Sequence, residues 1–210
     1  MTKYKHIIFD IDGTLIDTEY AVIHSLIETV TEITGSTPQY ENLKFVLGIT
    51  GRKALEQLKI QDIEKGLKLW DINMKLYQHT IKPFPNIKEC LSALMQKGYS
   101  LGIVTSKRRI EYQLDFEPLG LAKYFTTVIC ADDTHEHKPN AAPLLAYLAK
   151  ANVNIQDSIY IGDSIYDIQC ATNAGMDFGL ALWANNISSP TQLTHCFKTP
   201  NDIVSFLSKY

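Results

Sequence analysis

Four short segments concentrate the reactive side chains of this chain. Asp10-Ile-Asp12-Gly13-Thr14 sets two carboxylates two residues apart, a spacing that sends both side chains to the same side of an extended backbone. Neighbouring carboxylates repel unless something neutralises them. Hard oxygen donors suit a divalent cation such as Mg2+, which also accepts a phosphate oxygen in its shell. Gly162-Asp163-Ser164-Ile165-Tyr166-Asp167 supplies two more acids, with Asp167 one helical turn beyond Asp163. Thr105-Ser106 offers hydroxyls and backbone N–H groups to an anionic oxygen, and Lys138-Pro139 offers a point positive charge. Each segment also has a plain structural reading: an Asp-rich turn, an N-cap at Asp163, a capping hydroxyl, a solvated loop lysine. An N-cap role for Asp163 is compatible with metal contact.

All four segments follow apolar runs. His6–Asp10, Ser100–Thr105, Thr127–Cys130 and Ser158–Gly162 read as strands buried on both faces, with Phe178–Leu182 a weaker fifth. Helical patterns lie between them, over Ile87–Lys97 stopped by Gly98, Arg108–Phe116, Ala141–Lys150, and Ser164–Ala174 stopped by Gly175. From residue 83 onward strand and helix alternate, which predicts an α/β fold with a parallel sheet covered on both faces and a site at the carboxyl ends of its strands. Residues 17–82 break the alternation. They show no convincing strand, and Val22, Leu26, Val30 and Ile33 recur at helical spacing. The expected division is a core of 1–16 and 83–210 with a helical insertion, 17–82, from which Pro83-Phe84-Pro85 makes a stiff return.

The order Asp-x-Asp-Gly-Thr, Thr-Ser, Lys-Pro, Gly-Asp-Ser-x-x-Asp resembles the haloacid dehalogenase (HAD) superfamily over essentially the whole chain. That resemblance implies a Rossmann-like core, a Mg2+ cofactor and phosphoryl chemistry. Asp10 then matches the nucleophile and Asp12 the general acid/base. Thr105, Ser106, Lys138 and Gly13 match the phosphate-binding positions, and Asp10, Asp12, Asp163 and Asp167 the metal site. The insertion resembles the small helical cap of the phosphoglycolate phosphatase and beta-phosphoglucomutase branch, with Gly48-Ile-Thr-Gly-Arg52 similar to the cap loop that meets substrate. Ala141 departs from the second proline that many relatives carry, which bears only on local loop rigidity. The expected reaction is hydrolysis of a small phosphate monoester through a phosphoaspartate, with Asp12 first giving and then taking a proton.

Within the Gly48–Lys53 loop, Arg52 and Lys53 stand beside glycines, and the planar fork of Arg52 suits a second anion on the leaving group. Solvent exposure at the start of a cap helix is the alternative. A phosphomutase would share every motif. A dehalogenase fits poorly with Asp12 present, and a phospho-receiver fits poorly with a helical cap. A net charge of −3 and a pI near 6.1 provide no basic field for nucleic acid. The N-terminal apolar run is too short for a secretory or membrane segment, so the expected setting is cytoplasmic. The expected partner is a small phosphorylated metabolite, with the protein a monomer or homodimer. Cys90, Cys130, Cys170 and Cys196 are too dispersed for a zinc site and are expected in the core. His135 and His137 are expected to be solvated.

Overall fold

The computed structural model describes residues 3–184 and 194–208. Its first strand shows how the sequence builds the rest. β1 (His6–Phe9) is a β-branched and aromatic run whose last three residues are wholly buried. Alternate side chains leave opposite faces of a strand. Ile7 and Phe9 therefore pack into one core with Leu91, Leu94 and Phe116, while Ile8 packs into a second with Val104, Tyr147 and Tyr160.

The remaining elements follow in chain order: β2 (Ile16–Asp17), α1 (Glu19–Thr34), α2 (Gly51–Gln57), α3 (Ile63–Tyr77), β3 (Lys82–Pro83), α4 (Ile87–Gln96), β4 (Ser100–Val104), α5 (Arg109–Glu111), β5 (Thr127–Ile129), α6 (Ala142–Ala151), β6 (Ser158–Gly162), α7 (Ile165–Ala174), β7 (Asp177–Ala181), β8 (Thr194–Phe197) and α8 (Pro200–Leu207). Six strands form one sheet in the order β5-β4-β1-β6-β7-β8 with every neighbouring pair parallel. The chain order reverses about β1, between β4 and β6, so the loops after these three strands open a crevice at their carboxyl ends.

The buried members of a third apolar cluster all fall between Ile23 and Leu67, between β2 and β3 in the chain. Ile23, Leu26 and Val30 of α1 pack with Leu43, Val46, Leu55 and Leu67, and Trp70 of α3 lies against them. Helix α1 ends at Gly35 in the left-handed conformation, and α3 begins at Asp62, whose side chain accepts from Lys65 N at 3.0 Å.

The structure differs from the sequence expectations in four places. Ile16–Asp17 and Lys82–Pro83 pair as a two-residue antiparallel ladder where no strand is legible, because two residues carry no periodicity. β8 and α8 extend the fold beyond the five expected strands. The stretch expected as one helix over Arg108–Phe116 is a single α turn followed by a wider π turn at Tyr112–Phe116, ending just before Pro118. Cys90, Cys130 and Cys170 are buried, their thiols pushed up to about 12 by burial, but Cys196 on the end strand β8 is exposed. Residues 1–2, 185–193 and 209–210 of the expected core lie outside the described residues. No described helix is long and apolar enough to cross a membrane.

Candidate active site

The backbone fixes Asp10 first. It directly follows β1 and its N–H donates to Ile161 O of β6 at 2.8 Å, so the side chain leaves from the centre of the crevice. The carboxylate is almost inaccessible and sits 2.8 Å from Lys138 Nζ. Burial pushes its pKa up to about 7, against the downward pull of Lys138. Lys138 itself is buried, not solvated, and bridges Asp10 and Asp167, the latter at 2.7 Å. Burial alone would lower its pKa, but the two carboxylates raise it, so it remains an ammonium.

Asp167 begins from a different constraint. Ser164 is the N-cap of α7, and the cap is reciprocal: Asp167 N donates to Ser164 Oγ at 3.2 Å and Ser164 N to Asp167 Oδ2 at 3.0 Å. The capping role considered for Asp163 therefore belongs to its neighbour. Asp167 Oδ1 accepts from Lys138 and from the Tyr160 hydroxyl at 2.8 Å. Burial acts to raise the Asp167 pKa, but Lys138 and the hydroxyl donors outweigh it and hold the group below its ordinary value. Both oxygens thus accept from protein donors.

Asp163 lies one residue beyond β6 and accepts from Thr14 Oγ1 at 3.0 Å. Asp10, Asp163 and Asp167 offer carboxylate oxygens that all lie within 4.8 Å of one another, and this is the one such group among the described residues. The Asp12 carboxylate is not in it: Asp12 Oδ1 accepts from Thr18 Oγ1 at 2.7 Å and lies 3.1 Å from Lys107 Nζ. His135 and His137 also stand outside the cluster.

Gly13, placed with the phosphate-binding residues from sequence, has φ +75°, and a Cβ there would lie 2.2 Å from Asp163 Oδ2. Its use is to let the carboxylate approach the backbone. Gly13→Ala is expected to cost about 1–2 kcal/mol from the left-handed backbone alone, lowering Tm by roughly 2–8 °C for a domain of this size, and to displace Asp163 with loss of activity. A thermal melt and a turnover assay check this. A variant equal to wild type in both would refute the close-packing account.

Thr105 is buried at the end of β4, with its hydroxyl accepting from Lys107 N at 3.2 Å. Ser106 donates its hydroxyl to Gly48 O of the helical insertion at 2.9 Å. Gly48 is held close from the other side too: it has φ +90° and a Cβ would come within 3.0 Å of Ser164 Oγ.

Arg52 lies elsewhere. It sits on the outer side of α2, pairs with Glu64 in the acidic first turn of α3, and is absent from the residues that line the cleft over Asp10 and Asp12. Trp70 does line that cleft, whereas Tyr77 stacks near Tyr20 and His24.

Two residues with no sequence signal of their own complete the site. Thr18, buried, holds Asp12. Lys107, 7 % exposed, lies between Asp12 and Asp115, the latter at 2.9 Å, and Gln78 just beyond α3 donates to the other oxygen of Asp115 at 3.1 Å. Burial would lower the Lys107 pKa, but Asp12 and Asp115 raise it. Its position directly after Thr-Ser was the only available hint.

A family model for haloacid dehalogenase-like hydrolases matches residues 7–181. The chain belongs to that family. Among HAD-like relatives, the phosphoglycolate phosphatase of Agrobacterium fabrum is 35 % identical over 188 residues, covering 82 % of this chain and 80 % of its own. The pyrophosphatase PpaX of Oceanobacillus iheyensis is 28 % identical over 184 residues, covering 86 % and 84 %. The crystal structure of a proposed phosphoglycolate phosphatase from Lactobacillus plantarum superposes with a TM-score of 0.87 at 31 % identity, covering 98 % of this chain and 99 % of that one. These relatives place this HAD-like enzyme among the family's phosphatases, on the parallel α/β fold described above.

Proposed function

We propose that the chain is a Mg2+-dependent phosphatase that hydrolyses a small phosphate monoester through a phosphoaspartate on Asp10, with residues 17–82 serving as a cap over the core. The observation that carries this reading is the setting of Asp10: a buried carboxylate at a central strand end, 2.8 Å from Lys138 and clustered with two further carboxylates. Three carboxylates around one ammonium leave negative charge that a hard divalent cation suits, so the residues present fit Mg2+. Asp10 and Asp163 would hold it, with Asp167, whose oxygens also accept from Lys138, Tyr160 and Ser164, as the third carboxylate of the group. When bound, Mg2+ neutralises charge on the phosphate oxygens and on Asp10.

The protein groups divide the remaining work. Lys138 and the Thr105 hydroxyl bind equatorial oxygens and orient phosphorus in line with Asp10. Asp10 forms the new P–O bond as the P–O bond to the substrate alcohol breaks, and Asp12 gives the departing alkoxide its proton. Water then attacks phosphorus, Asp12 takes its proton back, and Asp10 and inorganic phosphate are released. Thr18 and Lys107 hold Asp12 at the mouth of this path.

The test is steady-state release of inorganic phosphate from p-nitrophenyl phosphate with and without Mg2+. Many turnovers per chain are expected with Mg2+ and few after chelation, whereas one equivalent of p-nitrophenolate released without inorganic phosphate would indicate a phospho-receiver. Asp163→Asn is expected to raise the Mg2+ concentration needed for half-maximal activity by at least about tenfold, since one anionic ligand becomes neutral. An unchanged Mg2+ dependence would remove Asp163 from the metal site.

A further inference from the structure

The phosphatase reading leaves the alcohol half of the substrate open, and the inference that follows rests on that reading. The cleft over Asp10 and Asp12 is also lined by the apolar side chains of Val46, Leu47, Ile49, Trp70, Met74 and Leu114. Trp70 is fixed there, its Nε1 donating to Ser25 Oγ at 2.8 Å. The charged residues lining the same cleft are five carboxylates, Asp10, Asp12, Asp71, Glu111 and Asp115, against the single ammonium of Lys107. That ammonium is buried between Asp12 and Asp115. The nearest guanidinium, Arg108, is already engaged by Asp71 and Glu111, and Arg52 by Glu64.

A second anion on the leaving group would therefore enter a space lined by five carboxylates and by one ammonium that two of them already share. It would meet like charge and give up its own hydration. An uncharged group with an apolar face would instead bury surface against Trp70, Met74 and Leu114. We propose that the leaving group is an uncharged alcohol with an apolar or aromatic face, and that phosphate compounds carrying a second anionic group are selected against. This separates the chain from relatives named for phosphoglycolate and pyrophosphate.

The experiment compares kcat/KM, with Mg2+ present, for benzyl phosphate, glycerol phosphate, phosphoglycolate and pyrophosphate. Benzyl phosphate and phosphoglycolate both release an alkoxide, so their comparison isolates the charge and shape of the rest of the molecule. Benzyl phosphate is expected to exceed phosphoglycolate and pyrophosphate by at least about tenfold. Leu114→Lys, at a position 45 % exposed and so tolerant of change, is expected to move the benzyl phosphate to phosphoglycolate ratio toward phosphoglycolate by about tenfold. Phosphoglycolate or pyrophosphate turned over as well as benzyl phosphate by the wild-type enzyme would overturn the proposal while leaving the phosphatase reading intact. An unmoved ratio in Leu114→Lys would overturn the placement of the leaving group beside Leu114. No turnover of any of the four would overturn the phosphatase reading and this proposal together.

Discussion

Asp10→Asn is expected to lower kcat by at least about 10⁴-fold, the scale on which loss of an attacking group acts, and to do so without unfolding the protein. The amide keeps the shape of the side chain but lacks the charge and the nucleophilic oxygen pair. Stability should respond in the opposite sense to activity. In the folded chain the Asp10 carboxyl titrates near 7, above the ordinary 3.8, because burial disfavours its charge more than Lys138 favours it. A carboxyl raised in this way contributes stability that is fully present below pH 3.8 and is lost as pH rises through 7. At pH 8 without metal, wild type therefore carries a buried charge that the folded state disfavours, and Asp10→Asn does not. The Tm of Asp10→Asn at pH 8 is expected to equal or exceed that of wild type, with the difference closing toward pH 4. Divalent metal should raise the wild-type Tm more than that of the variant, because it binds the folded state through the carboxylate. Phosphate release and melting curves at the two pH values check both halves. Activity above about one part in a hundred of wild type would remove Asp10 as the nucleophile.

Asp12→Asn is expected to lose roughly 10²- to 10⁴-fold in kcat, the usual worth of a positioned proton donor. The loss should depend on the leaving group. p-Nitrophenolate departs without help, so its ester should suffer less than an alkyl phosphate. The geometry supports such a role because Asp12 is anchored on one oxygen only, by Thr18 at 2.7 Å and Lys107 at 3.1 Å on Oδ1, while the side chain still lines the cleft. Equal losses on both kinds of ester, measured as kcat, would argue that Asp12 serves the phosphoryl group and not the leaving oxygen.

The parts of this molecule that could be read from sequence are those in which one residue type recurs at a fixed period or follows a strand. β1, β4, β5 and β6 are short apolar runs, and the polar residues after three of them meet because β1 pairs with both β4 and β6 in register, His6 opposite Ser100 and Ser158. The partners of individual side chains were not legible. Nothing local says that Asp12 turns toward Thr18 and Lys107, that Asp167 accepts from Lys138, Tyr160 and Ser164, or that Arg52 faces Glu64 instead of the cleft. These are choices between competing partners brought together only by tertiary packing. The ladder of Asp17 with Lys82 escaped notice because two residues cannot establish a pattern, and the end strand β8 because Thr194-His-Cys-Phe197 is not a continuous apolar run.

A hydroxyl has one proton to give. In this structure the proton of Ser106 is given to the carbonyl of Gly48, so any acceptor arriving from the substrate side must compete with the insertion for it. Occupancy of the core and seating of that loop are then antagonists at one atom. A ligand that captures the Ser106 proton leaves Gly48 O without a donor, and the loop, still pressed against Ser164 on its other side, becomes easier to lift.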